Sequence, residues 1–261
     1  MYVKTYIANF KKYRFLLWEL VKKDIKLKYR RSYLGLIWTL LEPLLTMMVL
    51  YIVFSKLYGK SDKTFPFYIL TGRLLYTYFS NATKGALTSI SDNSGMIKKV
   101  YVPKYMYPLS SILSNYIIFL LSLIDLIPVG LLCHVYPTKH LVQIIAPLGL
   151  ILLMAFGIGM FLATAQVFFR DIEYLWTVAL MLIMYCSAIF YSPSRVVKTG
   201  YGWIFKLNPL YMVIENFRSC LLYHKRIDFT VFFTALAFSV VMTVLGTWLF
   251  YKKQDEFILH I

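Results

Sequence analysis

The sequence predicts an all-α polytopic membrane protein, and three observations predict it. The 261-residue chain is 59% hydrophobic, and its apolar residues gather into several runs of the roughly 20 residues needed to cross a bilayer core. It lacks the short alternating segments of a membrane β-barrel. A basic amphipathic stretch stands directly before the first run, in WELVKKDIKLKYRRSYLGLIWTLLEPLLTMMVLYIVFS (18–55). The expectation is one membrane domain over residues 1–261, with six transmembrane helices, an N-terminal interfacial helix, a cytoplasmic segment and a re-entrant helical hairpin.

Residues 1–9 read as a short cytoplasmic lead, and residues 10–31 as the interfacial helix. Trp18, Val21, Ile25 and Tyr29 recur at helical spacing, with Leu17 and Leu20 beside them. Glu19, Lys22, Lys23, Lys26 and Arg30 occupy the other side. An apolar face with Trp opposite a Lys-rich face suits a helix lying on a membrane, and the same pattern serves a helix packed on a partner protein.

The first span is Leu34–Ser55. Glu42-Pro43 lies inside it, where proline removes the hydrogen bond to the Thr39 carbonyl. A carboxylate at this depth faces a bundle interior or a wet path; packing against a neighbouring helix and lining a path both stay open. The second span, Phe65–Thr83, is polar and aromatic, with Tyr68, Arg73, Tyr76, Thr77, Ser80 and Asn81. Such a span faces other helices or a cavity rather than lipid, and Arg73 is placed to snorkel outward.

Residues 84–108 are the longest hydrophilic connection, with a short helix expected within Ser89–Lys99. The third span is Leu109–Leu132 and contains Asp125 and Pro128. The fourth, Leu141–Phe168, is rich in Gly and Ala, which permit close helix contact. The turn FRDIE (169–173) leads into the fifth span, Tyr174–Tyr191. Residues 192–228 hold two apolar pieces too short to span, Trp203–Leu207 and Leu210–Tyr223, joined at Asn208-Pro209; these are the re-entrant hairpin. The sixth span is Phe229–Tyr251, and the KKQDEF tail after it is charged and short.

The formal net charge is +16, and 10 of the 28 Lys and Arg fall within residues 1–31. Basic residues beside a first span fit anionic headgroups and the positive-inside rule rather than nucleic acid. Six spans then put both termini in the cytoplasm. Cys133, Cys186 and Cys220 show no metal-ligand spacing and read as packing residues. His134, His140, His224 and His260 form no metal-spaced pair. Walker A, GxSxG and HExxH motifs are missing from the sequence. A chain without a nucleotide loop needs a partner if ATP drives it, and the 84–108 connection and Arg170-Asp171 are the handles for one. The 22 Tyr, 20 Phe and 5 Trp serve interfacial belts and cores, and can also stack on sugars along a path; Trp38, Tyr51 and Tyr76 join Glu42 as path candidates.

Four stretches carry a family resemblance: LVKKDIKLKYRRSYLGLIWTLLEPLL (20–45), IKKVYVPKYMYPLSS (97–111), VFFRDIEYL (167–175) and LNPLYMVIENFRSCLL (207–222). In that order they resemble the ABC-2 type permeases that export surface polysaccharides such as O-antigen, teichoic acid and capsule. The resemblance implies a transport subunit rather than an enzyme, in the bacterial cytoplasmic (inner) membrane. It implies a homodimer with two ATP-binding subunits, no cofactor in this chain, and ATP and Mg bound by the partner. The cargo it implies is a polyprenyl-pyrophosphate-linked glycan. Lys22, Lys23, Lys26, Lys28, Arg30 and Arg31 become the headgroup entry, and Met96, Lys98, Lys99, Tyr101 and Lys104 the coupling segment, with Arg170 and Asp171 near a second contact. Tyr191, Asn208, Pro209, Glu215 and Arg218 fall in the outer gate. The chain departs from many relatives in carrying Glu42 where they place an uncharged polar residue, and in Pro103-Lys104-Tyr105, where they often place a basic-acidic pair after the proline. The competing readings are an ABC-2 exporter of a drug or simple lipid, a membrane-embedded sugar transferase, and a passive channel.

Overall fold

The computed structural model describes residues 2–30, 32–58, 63–99 and 102–260, and among these every regular element is a helix. In chain order they are α1 (Tyr2–Lys28), α2 (Trp38–Tyr58), α3 (Phe65–Asp92), α4 (Ser94–Ile97), α5 (Met106–Ser122), α6 (Leu126–Leu132), α7 (Ile145–Phe168), α8 (Ile172–Cys186), α9 (Pro193–Lys198), α10 (Trp203–Leu207), α11 (Pro209–Leu221), α12 (Phe229–Lys253) and α13 (Phe257–His260). Four stretches are long and apolar enough to cross a membrane: Gly35–Lys56, Met106–Leu132, Lys139–Phe168 and Phe229–Lys253. The chain is therefore an integral membrane protein by length and composition. α3 is long enough, with 28 residues, but its polar residues set it apart from those four. α8 is apolar but has only 15 residues.

α3 is the central element. Its buried residues run from Phe67 to Ile90, and it packs on α2, α5, α7, α8 and α11. The closest pairing is α7 with α12. A Cβ on Gly157 would lie 2.5 Å from the Thr243 amide nitrogen, and one on Gly246 would lie 2.3 Å from the Gly157 carbonyl oxygen. Backbone meets backbone there because both residues are glycine, which is how helices gain van der Waals contact where lipid tails offer no hydrophobic drive.

Several boundaries differ from the sequence reading. The lead at 1–9 is helical from Tyr2, since no Gly or Pro interrupts it before Lys28. α3 continues through residues 84–92, so the connection to α5 is shorter than 84–108 and its small helix is only Ser94–Ile97, starting after Asn93. The third span is two helices joined by a 3-10 turn at Leu123–Asp125. Pro128 cannot donate to the Ile124 carbonyl, and the tighter turn falls at that gap. α8 stops at Cys186 instead of Tyr191, because the carbonyls of Ala188, Ile189 and Tyr191 turn away to other partners. The two short apolar pieces of residues 192–228 are helices, α10 over Trp203–Leu207 as expected and α11 over Pro209–Leu221 in place of Leu210–Tyr223. The Asn208 carboxamide oxygen accepts from the Leu210 and Tyr211 amides at 3.0 and 3.3 Å, and Pro209 opens α11.

Candidate functional site

α1 buries Leu17 and Leu20 in one cluster with Ile90, Ile97, Met106 and Tyr107, and Val21 beside them is also buried. Trp18 lies on the other side of that stripe and stays 52% exposed. The apolar face is thus split between a protein-facing stripe and a ring left to the surroundings. The predicted headgroup cations do not form one cluster. Lys22 pairs with Glu19 at 2.9 Å and sits over the Trp18 ring. Lys23 donates to the Asn93 carboxamide oxygen at 3.2 Å, and Lys28 to that of Asn115 at 3.3 Å. Lys26 and Arg30 are exposed, and Arg31 lies outside the described residues. Beside these lysines Asp24 accepts from the Ser110 hydroxyl at 3.1 Å. Burial raises the Asp24 carboxyl above its usual range, against the opposing effects of the Ser110 bond and the Lys23 charge. Burial lowers the Lys28 ammonium, against the opposing charge of Glu42 on α2.

The four path candidates differ in their surroundings. Trp38 and Glu42 are exposed on α2. Tyr51 is half-buried, its ring 6.3 Å from that of Phe65. Tyr76 is buried and donates its hydroxyl to the Leu180 carbonyl at 3.0 Å, so it ties α3 to α8. The sequence reading missed the continuity of a polar stripe on α3. Arg73, Thr77, Asn81, Lys84, Thr88 and Asp92 recur every three or four residues and are half-buried or exposed, while the rest of that helix is largely buried. The signal was present in the spacing, but the expected end of the span at Thr83 cut the stripe in half.

At one end of α3 the predicted coupling residues gather. Met96, Lys98 and Lys99 are exposed around α4, and Arg170 and Asp171 are exposed in the turn between α7 and α8. Ser91 on α3 donates to the Gln166 side-chain oxygen on α7 at 2.8 Å, joining the two groups. Lys104 is half-buried and bonds the Gln254 carbonyl. Tyr101 lies outside the described residues.

At the other end of α3 stands a buried knot. Arg218 has 0% exposure. Its guanidinium donates to the carbonyls of Ala188 and Tyr68, each at 3.0 Å, and of Ile189 at 3.3 Å, and lies 3.5 Å over the Tyr68 ring. The Tyr68 hydroxyl donates to the carbonyls of Ala188 at 2.7 Å and Tyr191 at 2.9 Å. Asn208 donates to the Ser187 hydroxyl at 2.9 Å. Ala188 holds φ at +45°, a conformation that costs a non-glycine residue about 1–2 kcal/mol and here turns its carbonyl to two donors. Glu215, one turn before Arg218, is half-buried. Of the predicted gate set, Tyr191, Asn208, Pro209 and Arg218 thus meet in one place.

The described helices thus form a bundle of long apolar helices around the polar-faced α3. The sequence profile of the ABC-2 type transporter family matches residues 16–222, and the chain belongs to that family. It is 28% identical to the O-antigen export system permease protein RfbA of Myxococcus xanthus, over 94% of this chain and 95% of that one. It is 27% identical to RfbA of Klebsiella pneumoniae over 93% of each chain. It is 20% identical to the polysialic acid transport protein KpsM of Escherichia coli, over 77% of this chain and 78% of that one.

Proposed function

We propose that this chain is the membrane-spanning permease of an ATP-driven exporter that moves polyprenyl-pyrophosphate-linked polysaccharide across the bacterial cytoplasmic membrane. The observation that carries the reading is the end-to-end similarity to permeases named for O-antigen export. In this reading the spans are α2, α3, α5 with α6, α7, α8 and α12, and both termini are cytoplasmic. The basic N-terminal stretch supports that orientation. Two copies face each other, and two ATP-binding subunits bring the nucleotide and Mg. The lipid-linked pyrophosphate approaches the exposed cations Lys22 and Lys26 of α1 and Arg30 in the turn after it. The glycan then follows the polar stripe of α3, whose hydroxyl, amide and charged groups offer hydrogen bonds to a hydrated chain. α10 and α11 close the outer end as a re-entrant hairpin, and ATP-driven motion enters through α4, Lys98 and Lys99.

Deleting the gene tests the reading. Surface polysaccharide is lost, and lipid-linked polymer accumulates inside the cell. Unchanged surface glycan with no trapped polymer would sink the proposal. A complementing copy carrying Lys98→Glu and Lys99→Glu restores the protein to the membrane without restoring export.

A further inference from the structure

The charged tail is more than an exit from α12. Phe257 on α13 has 0% exposure. Its ring stands 5.1 Å from that of Phe250 at 87° and 6.1 Å from that of Phe168 at 66°. It belongs to the same apolar cluster as Leu17 and Leu20 of α1, Ile97 of α4 and Val167 of α7. Lys104, just before α5, holds the Gln254 carbonyl and lies over the Phe257 ring. Lys253 lies over Phe168 and pairs with Glu256 at 2.8 Å. A terminal segment with one aromatic residue gripped from three elements is fixed, where a segment made only of charged residues would be solvated.

That fixing brings His260 to a particular place. Its ring is 4.9 Å from Phe168, and it lines a small polar recess with Ser91, Ser94, Gln166, Val167 and Arg170. The recess measures about 90 Å³, well under the roughly 300–1,000 Å³ of a site for a whole small molecule, so it suits the tip of one side chain. Among the described residues no carboxylate pairs with the Arg170 guanidinium. A planar, exposed guanidinium beside hydroxyl donors selects a carboxylate.

We propose that α13 completes the docking surface for the ATP-binding subunit, with Phe257 as its positioning residue and the Arg170–His260 recess receiving an aspartate or glutamate side chain of that subunit. The assignment rests on the reading that an ATP-binding partner docks at this end. It adds a third element, beyond α4 and the 169–171 turn, that the partner must meet.

The test uses the full permease co-expressed with its ATP-binding subunit and purified together in detergent. Arg170→Glu lowers the ATP-binding subunit retained per permease at least about tenfold, the loss expected when one side of a desolvated charge pair is reversed. Phe257→Ala lowers it similarly, Phe257→Leu restores it, and both variants elute from gel filtration as the parent permease does. A photo-crosslinking residue placed at 260 captures the ATP-binding subunit. Full retention in Arg170→Glu and Phe257→Ala, alongside loss in Lys98→Glu/Lys99→Glu, would overturn the tail proposal and leave the exporter reading standing. Crosslinks from position 260 to lipid or to a second permease alone would also overturn it. A parent permease that retains no ATP-binding subunit would overturn the reading beneath both.

Discussion

The two ends of α3 use positive charge in contrary ways. At the Tyr68–Gly72 end Arg218 is sealed from solvent, and its two terminal nitrogens are held by backbone carbonyls with one aromatic face beneath them. At the Ser91–Asn93 end, Lys98, Lys99 and Arg170 stay exposed, and Lys23 leans on a neutral amide. The guanidinium suits the first task because its fork reaches several acceptors at once. Lysines suit the second, since each keeps a mobile, hydrated charge. The difference separates a cation that shapes the chain from cations available to something else.

Breaking the sealed end has the largest effect. Arg218→Ala takes the guanidinium from three carbonyls, of which Ala188 keeps the Tyr68 hydroxyl and Tyr68 keeps the Thr71 hydroxyl while Ile189 loses its side-chain donor; an unsatisfied buried acceptor costs about 1–3 kcal/mol, and emptying a large buried side chain's space costs about 2–5 kcal/mol more. The expected loss is about 4 kcal/mol or more, read as a collapse of detergent-solubilised thermal stability. Arg218→Lys recovers only part, since one ammonium does not cover three carbonyls and a ring. Next comes Gly157→Val, which drives a side chain into the α12 backbone at Thr243; overpacking of this kind costs about 1–3 kcal/mol and lowers the melting temperature without touching either charged end. Lys98→Glu with Lys99→Glu moves stability by no more than about 0.5 kcal/mol, as exposed substitutions do, yet abolishes ATP-dependent export in vesicles. An Arg218→Ala protein as stable as the parent would erase the contrast between the ends.

The smallest effect is at Asp24. Burial holds its carboxyl above the ordinary range, so the folded chain keeps a proton there that the unfolded chain has released. Stability therefore falls as pH rises from the ordinary carboxylate range through the raised value. Asp24→Asn keeps an acceptor for Ser110 and removes this dependence. Thermal melts across that window flatten in the variant, with a small gain at neutral pH.

The sequence made some of this legible and hid the rest for physical reasons. Asn208-Pro209 announced the start of α11 because a capping amide and an N1 proline act locally. The apolar runs at Gly35–Lys56 and Phe229–Lys253 announced themselves by length. Resemblance alone put Arg218 in the outer gate, and Phe257 stood at the end of a charged tail; the burial of each depends on carbonyls and rings far away in the chain. The bond from the Tyr76 hydroxyl to the Leu180 carbonyl was hidden because its acceptor is a backbone group with no sequence signature. The α3 stripe needed the helix to be followed to Asp92, past the lysine and glycine at 84 and 85 that looked like a loop.

The crossing of Gly157 with Gly246 has a mechanical consequence. Nothing compressible separates the two backbones, so no acyl chain or detergent tail can wedge between α7 and α12. When the protein is pulled from a bilayer by its C-terminus, α12 should not leave alone. The force trace should show α12 and α7 leaving in a single rip, and Gly246→Leu should divide that rip in two.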